Sequence, residues 1–440
     1  MKLNQLPLYL NIFLLILGLS FSLSSSWKPY IWEGFGDPYD YLRQAKTPVF
    51  SSEFYFPARY DLEKGGVHSP RPFTIPLIYK IAGSNPDSII IIQKTFLLLS
   101  AFSLVLVLSI LLSSLSSRLV LTTAIHALVN WWHISGWSLL LLSESLASSF
   151  FMLWLASFLW YLHKKWNYIL VLHLIILLLF SFTRDNWPYL LLPFYSLFII
   201  FSIWKNRQLL KISISGFVLM LIIFFSQQAA ADYGHRYRLP IMHNLLVRVM
   251  PNGKWWEWFG KEGMPQQAEL KDAYWGIQSD DKKMFNLYND KKFQPFFDWV
   301  DTKGKSAYMK FMILNPGYSL LSFEKKENLQ KIIASKLYYY GQSPAYAKVF
   351  DYIFPLFHWL WIIIMLPVLI YAFFKNFDAY FTSLLILLLV FLLHTLILYN
   401  ADTYEVERHM FINQLVWHLL CFMTLLAVWD KRNSIFIKKT

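Results

Sequence analysis

The chain alternates apolar runs of about 20 residues with short polar connections, which constrains its fold more than any motif does. A helix rises 1.5 Å per residue, so about 20 residues cross the roughly 30 Å hydrocarbon core of a bilayer. Charged residues make up 15% of the 440 residues, whereas about a quarter of a soluble domain is charged. The sequence therefore predicts an all-α polytopic membrane protein.

Ten apolar runs are predicted to span the membrane, which places both termini in the cytoplasm. The predicted spans are 6–25, 88–112, 119–136, 138–162, 167–182, 187–204, 210–230, 351–374, 378–399 and 411–429. They form an N-terminal membrane module (1–230) with a first outer loop at 27–87, and a C-terminal membrane module (351–440). An outer segment (231–350) connects the two modules.

The first apolar run follows Lys2 and resembles a signal peptide. A removable signal ends in a small-residue cleavage site. Here Leu23-Ser24-Ser25-Ser26-Trp27 is followed by bulky residues, which favours a retained membrane anchor over a removed signal.

Basic and acidic residues separate onto opposite sides of the predicted membrane. Short connections rich in Lys and Arg face the cytoplasm, and here these contain only two carboxylates, Asp378 and Asp430. The basic residues in these connections are Lys2, Arg118, Lys164, Lys165, Lys205, Arg207, Lys211, Lys375, Lys431, Arg432, Lys438 and Lys439. The other 25 of the 27 carboxylates fall outside. Ionisable groups at span ends are costly and usually functional, so we expect one polar site on the outer face.

Both outer stretches are predicted to contain helices. In the first outer loop, residues 38–46 and 71–82 are amphipathic but too short to cross, which predicts helices lying in the membrane interface. The outer segment 231–350 mixes Lys-rich helical stretches with aromatic patches such as 255–259. It is predicted to be mostly helical, as a small cap or as a layer on the lipid surface, and the cap is favoured.

The first outer loop opens with a pair of candidate carboxylates. Asp37 directly precedes Pro38, which is suited to the first position of a helix. A carboxylate there can simply cap the helix, so the local sequence favours capping and catalysis equally. Asp40 follows one turn later and, with charges at other span ends, favours a functional role for the pair.

Two further candidate positions lie at the outer ends of the fourth and fifth spans. Glu144 lies about two turns inside the predicted fourth span, where facing lipid would cost a few kcal/mol. We therefore expect Glu144 to face the protein interior. Arg184 and Asp185 close the fifth span, and a local ion pair between them is the alternative to a functional role.

The segment before the tenth span contains Asp402, Glu405, Arg408 and His409. The last three lie three or four residues apart, so they share one face of a helix. Arg408 and His409 on that face are suited to binding an anionic phosphate, with Glu405 orienting them. The alternative is a structural ion pair of Arg408 with Glu405 or Asp402.

Together these features resemble the GT-C superfamily of membrane glycosyltransferases, which includes protein O-mannosyltransferases and the lipid A aminoarabinose transferase. Shared features are a single N-terminal span, an outer loop opening with Gly36-Asp37, short amphipathic helices from that loop, and charge gathered on the outer face. Local matches are Ser-Glu-Ser-Leu-Ala at 143–147, Thr-Arg-Asp-Asn at 183–186 and Glu-Val-Glu-Arg-His at 405–409. The resemblance covers about the first 230 residues and the last 40, and the segment 231–350 has no counterpart.

The resemblance implies an inverting sugar transfer from a polyprenyl-phosphate donor to a lipid, glycan or protein acceptor on the extracytoplasmic side. A carboxylate would accept the proton of the acceptor hydroxyl, and a cation would stabilise the departing lipid phosphate. Asp37 is the expected base. Arg408 is the expected phosphate ligand, supported by Arg184 or Arg71, and His68 is a weaker candidate.

The chain departs from the paired acidic motif that is frequent in this superfamily, because two residues separate Asp37 from Asp40. Either carboxylate is therefore a candidate base, and a divalent cation is a candidate cofactor. No redox or nucleotide cofactor is expected. The one cysteine, Cys421, lies in an apolar run, so neither a disulfide nor a thiolate metal site is predicted.

A transporter or flippase of a lipid-linked saccharide is the alternative from a different class. Such a protein has charged or Gly/Pro-broken helices near the bilayer midplane and often an internal repeat. Here the span centres are Leu, Ile and Phe and the charges gather at one end, which favours the enzyme. The net charge of +13 is carried by short cytoplasmic loops and outer segments, so membrane lipid and not nucleic acid is the expected partner. The expected location is a plasma membrane of the bacterial inner-membrane type.

Overall fold

The protein is described by a computed structural model that covers most of the chain. The described residues are 5–24, 37–51, 54, 72–233, 237–267, 269–270, 286–287, 290–321, 347–354, 359–376, 379–401 and 406–436. Regular secondary structure within these residues is helical throughout, without a β-strand.

The helices fall into three successive groups along the chain. The first group contains α1 (Leu6–Ser24), α2 (Asp37–Lys46), α3 (Thr74–Ile81), α4 (Pro86–Leu111), α5 (Leu115–Asn130), α6 (Trp132–Ser135), α7 (Glu144–Lys164), α8 (Asn167–Ser181), α9 (Trp187–Lys205) and α10 (Leu210–Tyr233). The second contains α11 (Arg238–His243), α12 (Gly253–Lys261), α13 (Gln294–Trp299), α14 (Lys305–Leu314) and α15 (Pro316–Leu321). The third contains α16 (Ala347–Ile353), α17 (Leu360–Asn376), α18 (Ala379–Ala401), α19 (Val406–His409) and α20 (Asn413–Phe436). Short 3₁₀ turns occur at Gly136–Leu139 and Arg207–Leu209, and π-helical turns at Asn244–Val249 and Val300–Gly304.

Five helices of the described chain are long and apolar enough to cross a membrane. These are Pro86–Leu111, Glu144–Lys164, Trp187–Trp204, Arg207–Asp232 and Ala379–Ala401. Three shorter apolar helices are Leu6–Phe21, Asn167–Ser181 and Leu360–Lys375. The prediction of a helical protein with membrane-spanning helices is confirmed at this level, and the count of ten spans stays a prediction.

Side-chain hydrogen bonds lie at the starts of two helices of the first group, α4 and α5. The Asn85 side chain accepts the backbone N–H of Ser88 at 3.1 Å and so caps α4. At the start of α5, the Asp430 carboxylate of α20 accepts the backbone N–H groups of Ser113 and Ser114, at 2.8 and 2.7 Å. A carboxylate is favoured at this position because helix N-termini carry partial positive charge.

Two of the predicted spans differ from the observed helices at one end. The third, predicted for 119–136, forms one helix only as far as Asn130, because Trp131 is extended (φ −64°, ψ 136°). The eighth, predicted for 351–374, begins at Leu360 and follows the separate short helix α16.

The fourth span, predicted for 138–162, begins only at Glu144. The residues before it are not α-helical, and side chains from other helices bond some of their carbonyls. Gln93 Nε2 donates to the carbonyls of Ser138 and Leu140, at 3.3 and 2.9 Å. The placement of Glu144 two turns inside a helix was therefore wrong: it is the first residue of α7.

Helices of the first and third groups share one apolar core, which includes buried side chains from α4 to α10 and from α17, α18 and α20. A buried polar chain ties three of these helices together. His173 of α8 lies 2.9 Å from Ser157 Oγ of α7 and 2.7 Å from Tyr195 Oη of α9. Trp154 Nε1 donates to the same Tyr195 oxygen at 3.0 Å. A satisfied network of this kind favours one arrangement of the helices.

The outer segment has a separate apolar core built from its own aromatic side chains. Phe259, Phe296 and Phe311 are fully buried there. Arg238 of α11 donates from two nitrogens to the Asp301 carboxylate. This ion pair joins α11 to the π-helical turn Val300–Gly304. The described part of the segment is thus a packed helical unit, and its position as a cap over the membrane stays a prediction.

Helices occur at both places where the outer loop was predicted to be amphipathic, and they pack on each other. Tyr41 of α2 contacts Tyr79 of α3 edge to face, with ring centroids 6.0 Å apart. Lys80 Nζ donates to the carbonyls of Ala45 and Thr47 at the end of α2, at 3.1 and 2.8 Å. Their location in a membrane interface stays a prediction.

Helix α3 connects this loop to the membrane helices. The backbone N–H of Thr74 donates to the Phe182 carbonyl at 3.2 Å, and its Oγ1 donates to the Leu179 carbonyl at 2.9 Å. Tyr79 donates its hydroxyl to the Leu142 carbonyl at 3.2 Å. These contacts bring the start of α2 towards the first residue of α7 and the turn after α8.

Candidate functional site

Four segments that are distant in sequence meet at one end of the helix bundle. They are the start of α2, the start of α7, the turn between α8 and α9, and the short helix α19 with the turn that follows it. Five residues predicted from the sequence come together there: Asp37, Glu144, Arg184, Arg408 and His409.

Glu144 is the centre of this cluster. Its side chain is 0% exposed, and its Oε1 accepts hydrogen bonds from two guanidinium groups. Arg408 Nε lies at 2.8 Å and Arg184 Nη1 at 3.1 Å from that oxygen. The prediction that Glu144 faces the protein interior is confirmed, and the partner observed for Arg184 is Glu144, 40 residues away.

Arg408 also binds the first predicted carboxylate, since its Nη2 donates to Asp37 Oδ2. Asp37 and Arg408 are 371 residues apart in sequence. The Asp37 side chain is 16% exposed and that of Arg408 is 7% exposed. Asp37 is therefore the more accessible of the two carboxylates that bind Arg408.

Arg184 joins His409 to the cluster. Its Nη2 lies 3.0 Å from Nδ1 of His409. A guanidinium has only donors, so Nδ1 must accept, and the imidazole is neutral with its proton on Nε2. The Arg184 guanidinium also lies over the Phe411 ring, 5.2 Å from its centroid, a favourable cation–π contact.

Among the ion pairs of the described residues in this cluster, two cations face two carboxylates. The guanidinium groups of Arg184 and Arg408 oppose the carboxylates of Asp37 and Glu144, and His409 is neutral. Burying an unpaired charge costs several kcal/mol, so each arginine depends on these carboxylates. An anionic ligand would compete with Asp37 for Arg408, because Asp37 is the more exposed carboxylate.

Tyr79 supports the cluster from the outer loop, and the sequence analysis did not single it out. Burial raises the pKa of the Tyr79 hydroxyl well above its ordinary value, and Tyr41, Glu144 and Asp37 raise it further. The hydroxyl therefore stays protonated and donates to the Leu142 carbonyl, two residues before Glu144. The available signal was a tyrosine on the predicted amphipathic helix 71–82.

Phe411 was also missed, although it lies two residues beyond the predicted phosphate ligands. Its ring contacts Arg184 and lies 5.9 Å from the Trp137 ring. Its backbone N–H donates to the Arg408 carbonyl at 3.1 Å, which closes the turn that carries Arg408 and His409.

The structure describes only some of the other predicted site residues. Asp40 is buried in α2, one turn after Asp37, and Asp185 follows Arg184 in the turn before α9. Four further candidates lie outside the described residues: His68, Arg71, Asp402 and Glu405. An ion pair of Arg408 with Asp402 or Glu405 is therefore untested.

A divalent cation was a candidate cofactor. Within the described residues, no three His, Cys, Asp or Glu side chains come together as metal ligands would. Glu144 Oε1 is already bound by two guanidinium donors. Among the described residues, the cluster does not present the ligand set of a metal ion.

Comparison with models of protein families finds no match for the chain, and comparison with curated proteins finds none either. What the cluster does is therefore inferred from its geometry and from the sequence.

Proposed function

We propose that the chain is a GT-C-type inverting glycosyltransferase of the membrane. It transfers a sugar from a polyprenyl-phosphate donor to a lipid, glycan or protein acceptor on the extracytoplasmic face. One observation supports this most: Arg408 binds both Asp37 and Glu144, so a candidate base lies directly beside a candidate phosphate ligand.

The two arginines suit the phosphate of the sugar donor. Glu144 fixes both guanidinium groups through one oxygen, so they are held close together before any ligand arrives. A preorganised pair of cations stabilises the charge that develops on a departing phosphate. Arg184 and Arg408 are the proposed ligands of that phosphate, with His409 alongside.

Asp37 is the proposed base. When the donor phosphate binds Arg408, it displaces the Asp37 carboxylate, which is then available to accept the proton of the acceptor hydroxyl. The acceptor oxygen forms a bond to the anomeric carbon from the face opposite the phosphate. The bond from that carbon to the phosphate oxygen breaks, and the two guanidinium groups stabilise the departing polyprenyl phosphate.

The proposed orientation has ten spans, both termini in the cytoplasm, and the site on the outer face of a plasma membrane of the bacterial inner-membrane type. The cluster is formed where α7 begins, where α8 ends and just before α20 begins. Asp430 near the other end of α20 contacts the start of α5. The contacts at the two ends of α20 support an assignment of the cluster and the basic connections to opposite faces.

The direct test is transfer by the purified full-length chain. It would be incubated with a panel of radiolabelled polyprenyl-phosphate sugars and with lipid, glycan or peptide acceptors, and products would be separated from the lipid. Arg408→Ala is the matched inactive variant. Sugar that crosses the bilayer of proteoliposomes without forming a new glycosidic bond would instead indicate a transporter, and would overturn the proposal.

A further inference from the structure

We propose that the outer segment positions the phosphate-binding turn, and that Asn244, Arg248 and Tyr308 are the positioning residues. Each donates a hydrogen bond to a carbonyl at the end of α18, the helix that precedes the Arg408 segment. The kinetic part of this inference rests on the proposed function, whereas its structural part does not.

The three donors bind three consecutive carbonyls. Arg248 Nη1 donates to the carbonyl of Tyr399, Tyr308 Oη donates to that of Asn400 at 2.9 Å, and Asn244 Nδ2 donates to that of Ala401 at 2.9 Å. The residues come from two places in the segment, the π-helical turn Asn244–Val249 and helix α14.

These three carbonyls belong to the last turn of α18 as the structure describes it. The last four C=O groups of an α-helix lack a partner within the helix and are satisfied by side chains, water or a tight turn. Here the outer segment supplies three side-chain donors, and Asn244 and Tyr308 are themselves buried. Buried polar groups that lose a partner are costly, so the contact fixes the helix end more firmly than solvent would.

The same helix end contacts the turn that carries the arginine. Leu398, Tyr399 and Met410 form a buried apolar cluster, and Met410 directly follows His409. The Arg248 guanidinium lies over the Tyr399 ring, 4.0 Å from its centroid. Arg248 therefore contacts one face of the cluster that supports Met410, and Arg408 lies two residues from Met410.

The outer segment thus acts on Arg408 through α18. Loosening the helix end lets the Arg408–Met410 turn shift relative to Glu144. A shift of this kind weakens binding of the donor phosphate before it affects the base. We therefore expect variants of the positioning residues to raise the donor KM more than they lower kcat.

The test uses Tyr308→Phe, which removes only a hydroxyl, together with Arg248→Ala and Arg248→Lys. The matched control is Tyr237→Phe, because the Tyr237 hydroxyl bonds the Asp301 carbonyl inside the outer segment. Hydrogen–deuterium exchange of the full-length protein in detergent would follow peptides covering 396–412. We expect faster exchange there in Tyr308→Phe and Arg248→Ala, and no change in Tyr237→Phe.

Donor kinetics complete the test. We expect a donor KM raised about tenfold in Arg248→Ala, the loss of about 1.4 kcal/mol of binding. Lys retains one donor and the cation–π contact, so Arg248→Lys should recover part of this loss. Unchanged exchange in 396–412 overturns the inference, as does faster exchange with an unchanged donor KM. If the wild-type protein transfers no sugar, the proposed function fails, and the exchange result alone supports or overturns the positioning role.

Discussion

Arg408→Lys keeps the charge at the centre of the cluster and changes only its geometry. Arg408 donates from two different nitrogens, Nε to Glu144 and Nη2 to Asp37. A lysine has one compact ammonium group and cannot reproduce the planar, divided arrangement of donors. We therefore expect Arg408→Lys to lose one of these two charge-assisted contacts, and with it the paired contact to a donor phosphate.

The size of the effect follows from the lost bond. A hydrogen bond to a charged group contributes about 1.5–3 kcal/mol. If this stabilisation acts in the transition state, kcat/KM for the sugar donor should fall by about 10- to 150-fold, since about 1.4 kcal/mol corresponds to a factor of ten. Initial rates at varied donor concentration measure it, with thermal unfolding of each variant as a check on folding.

Arg118→Lys is the matched control. Arg118 also donates from Nε, to the Leu112 carbonyl, but at the other end of the helix bundle. We expect normal donor kinetics in this variant. Wild-type kcat and KM in Arg408→Lys would refute the phosphate role. A lower unfolding temperature with normal kinetics would assign Arg408 to structure alone.

Three other perturbations test the remaining parts of the site and fold. Asp37→Asn should lower kcat by about 10² or more through loss of the base. The variant should also bind free polyprenyl phosphate more tightly, because Arg408 loses a competing carboxylate. Asp40→Asn should lower kcat less, and an unchanged kcat in Asp37→Asn would leave Asp37 with the role of a helix cap. Glu144→Gln leaves two guanidinium groups without their shared anion, so it should destabilise the protein by about 3–5 kcal/mol in reversible unfolding, and an unchanged stability would contradict the central role of Glu144. In a Cys421→Ala background, an impermeant thiol reagent applied to intact cells should label single cysteines placed on the outer face and leave those on the cytoplasmic face unlabelled. The outer positions are Ser84, Ser279 and Thr403, and the cytoplasmic positions are Ser116, Asn206 and Asn433; labelling at Asn206 or Asn433 would refute the ten-span topology.

The candidate site could be predicted largely from the cost of charge in a membrane. A carboxylate such as Glu144 at the end of an apolar run must be paired or face the interior, and it is both buried and paired. Arg184 was singled out because it closes a predicted span, and Arg408 because its spacing places it on one helix face with Glu405 and His409. The physical rule identifies which residues matter because apolar surroundings make each unpaired charge costly.

The pairing of these residues could not be predicted. Asp37 and Arg408 are 371 residues apart, and no periodicity along a single helix relates them. Local spacing favoured Glu405 as the partner of Arg408, yet the observed partners include Asp37 and Glu144, each brought in by another segment. Sequence spacing reports neighbours within one helix, whereas this cluster is formed between helices.

The start of α7 was misjudged for a related reason. The apolar residues Leu139 to Leu142 continue the pattern of the fourth span, so hydropathy extends the helix through them. The Gln93 side chain bonds the carbonyls of Ser138 and Leu140, and the Tyr79 hydroxyl bonds that of Leu142. These bonds from other helices satisfy carbonyls of a stretch that is not helical. Hydropathy reports how apolar a stretch of sequence is. It cannot distinguish a buried helix from a buried turn whose backbone is bonded by distant side chains.

The contact between Asp37 and Arg408 has a consequence for the order of events in the proposed reaction. While Arg408 binds Asp37, that carboxylate is occupied by the guanidinium group. Arg408 is a weaker phosphate ligand while Asp37 occupies it. In the proposed reaction a single exchange releases both groups. The donor phosphate takes the place of Asp37 on Arg408, and the freed carboxylate can accept a proton. Glu144 is fully buried and contacts both arginines, so in the proposed reaction it would keep the phosphate site intact while Asp37 moves. The two carboxylates would then differ in role because they differ in exposure: the buried one would hold the cations, and the accessible one would accept the proton.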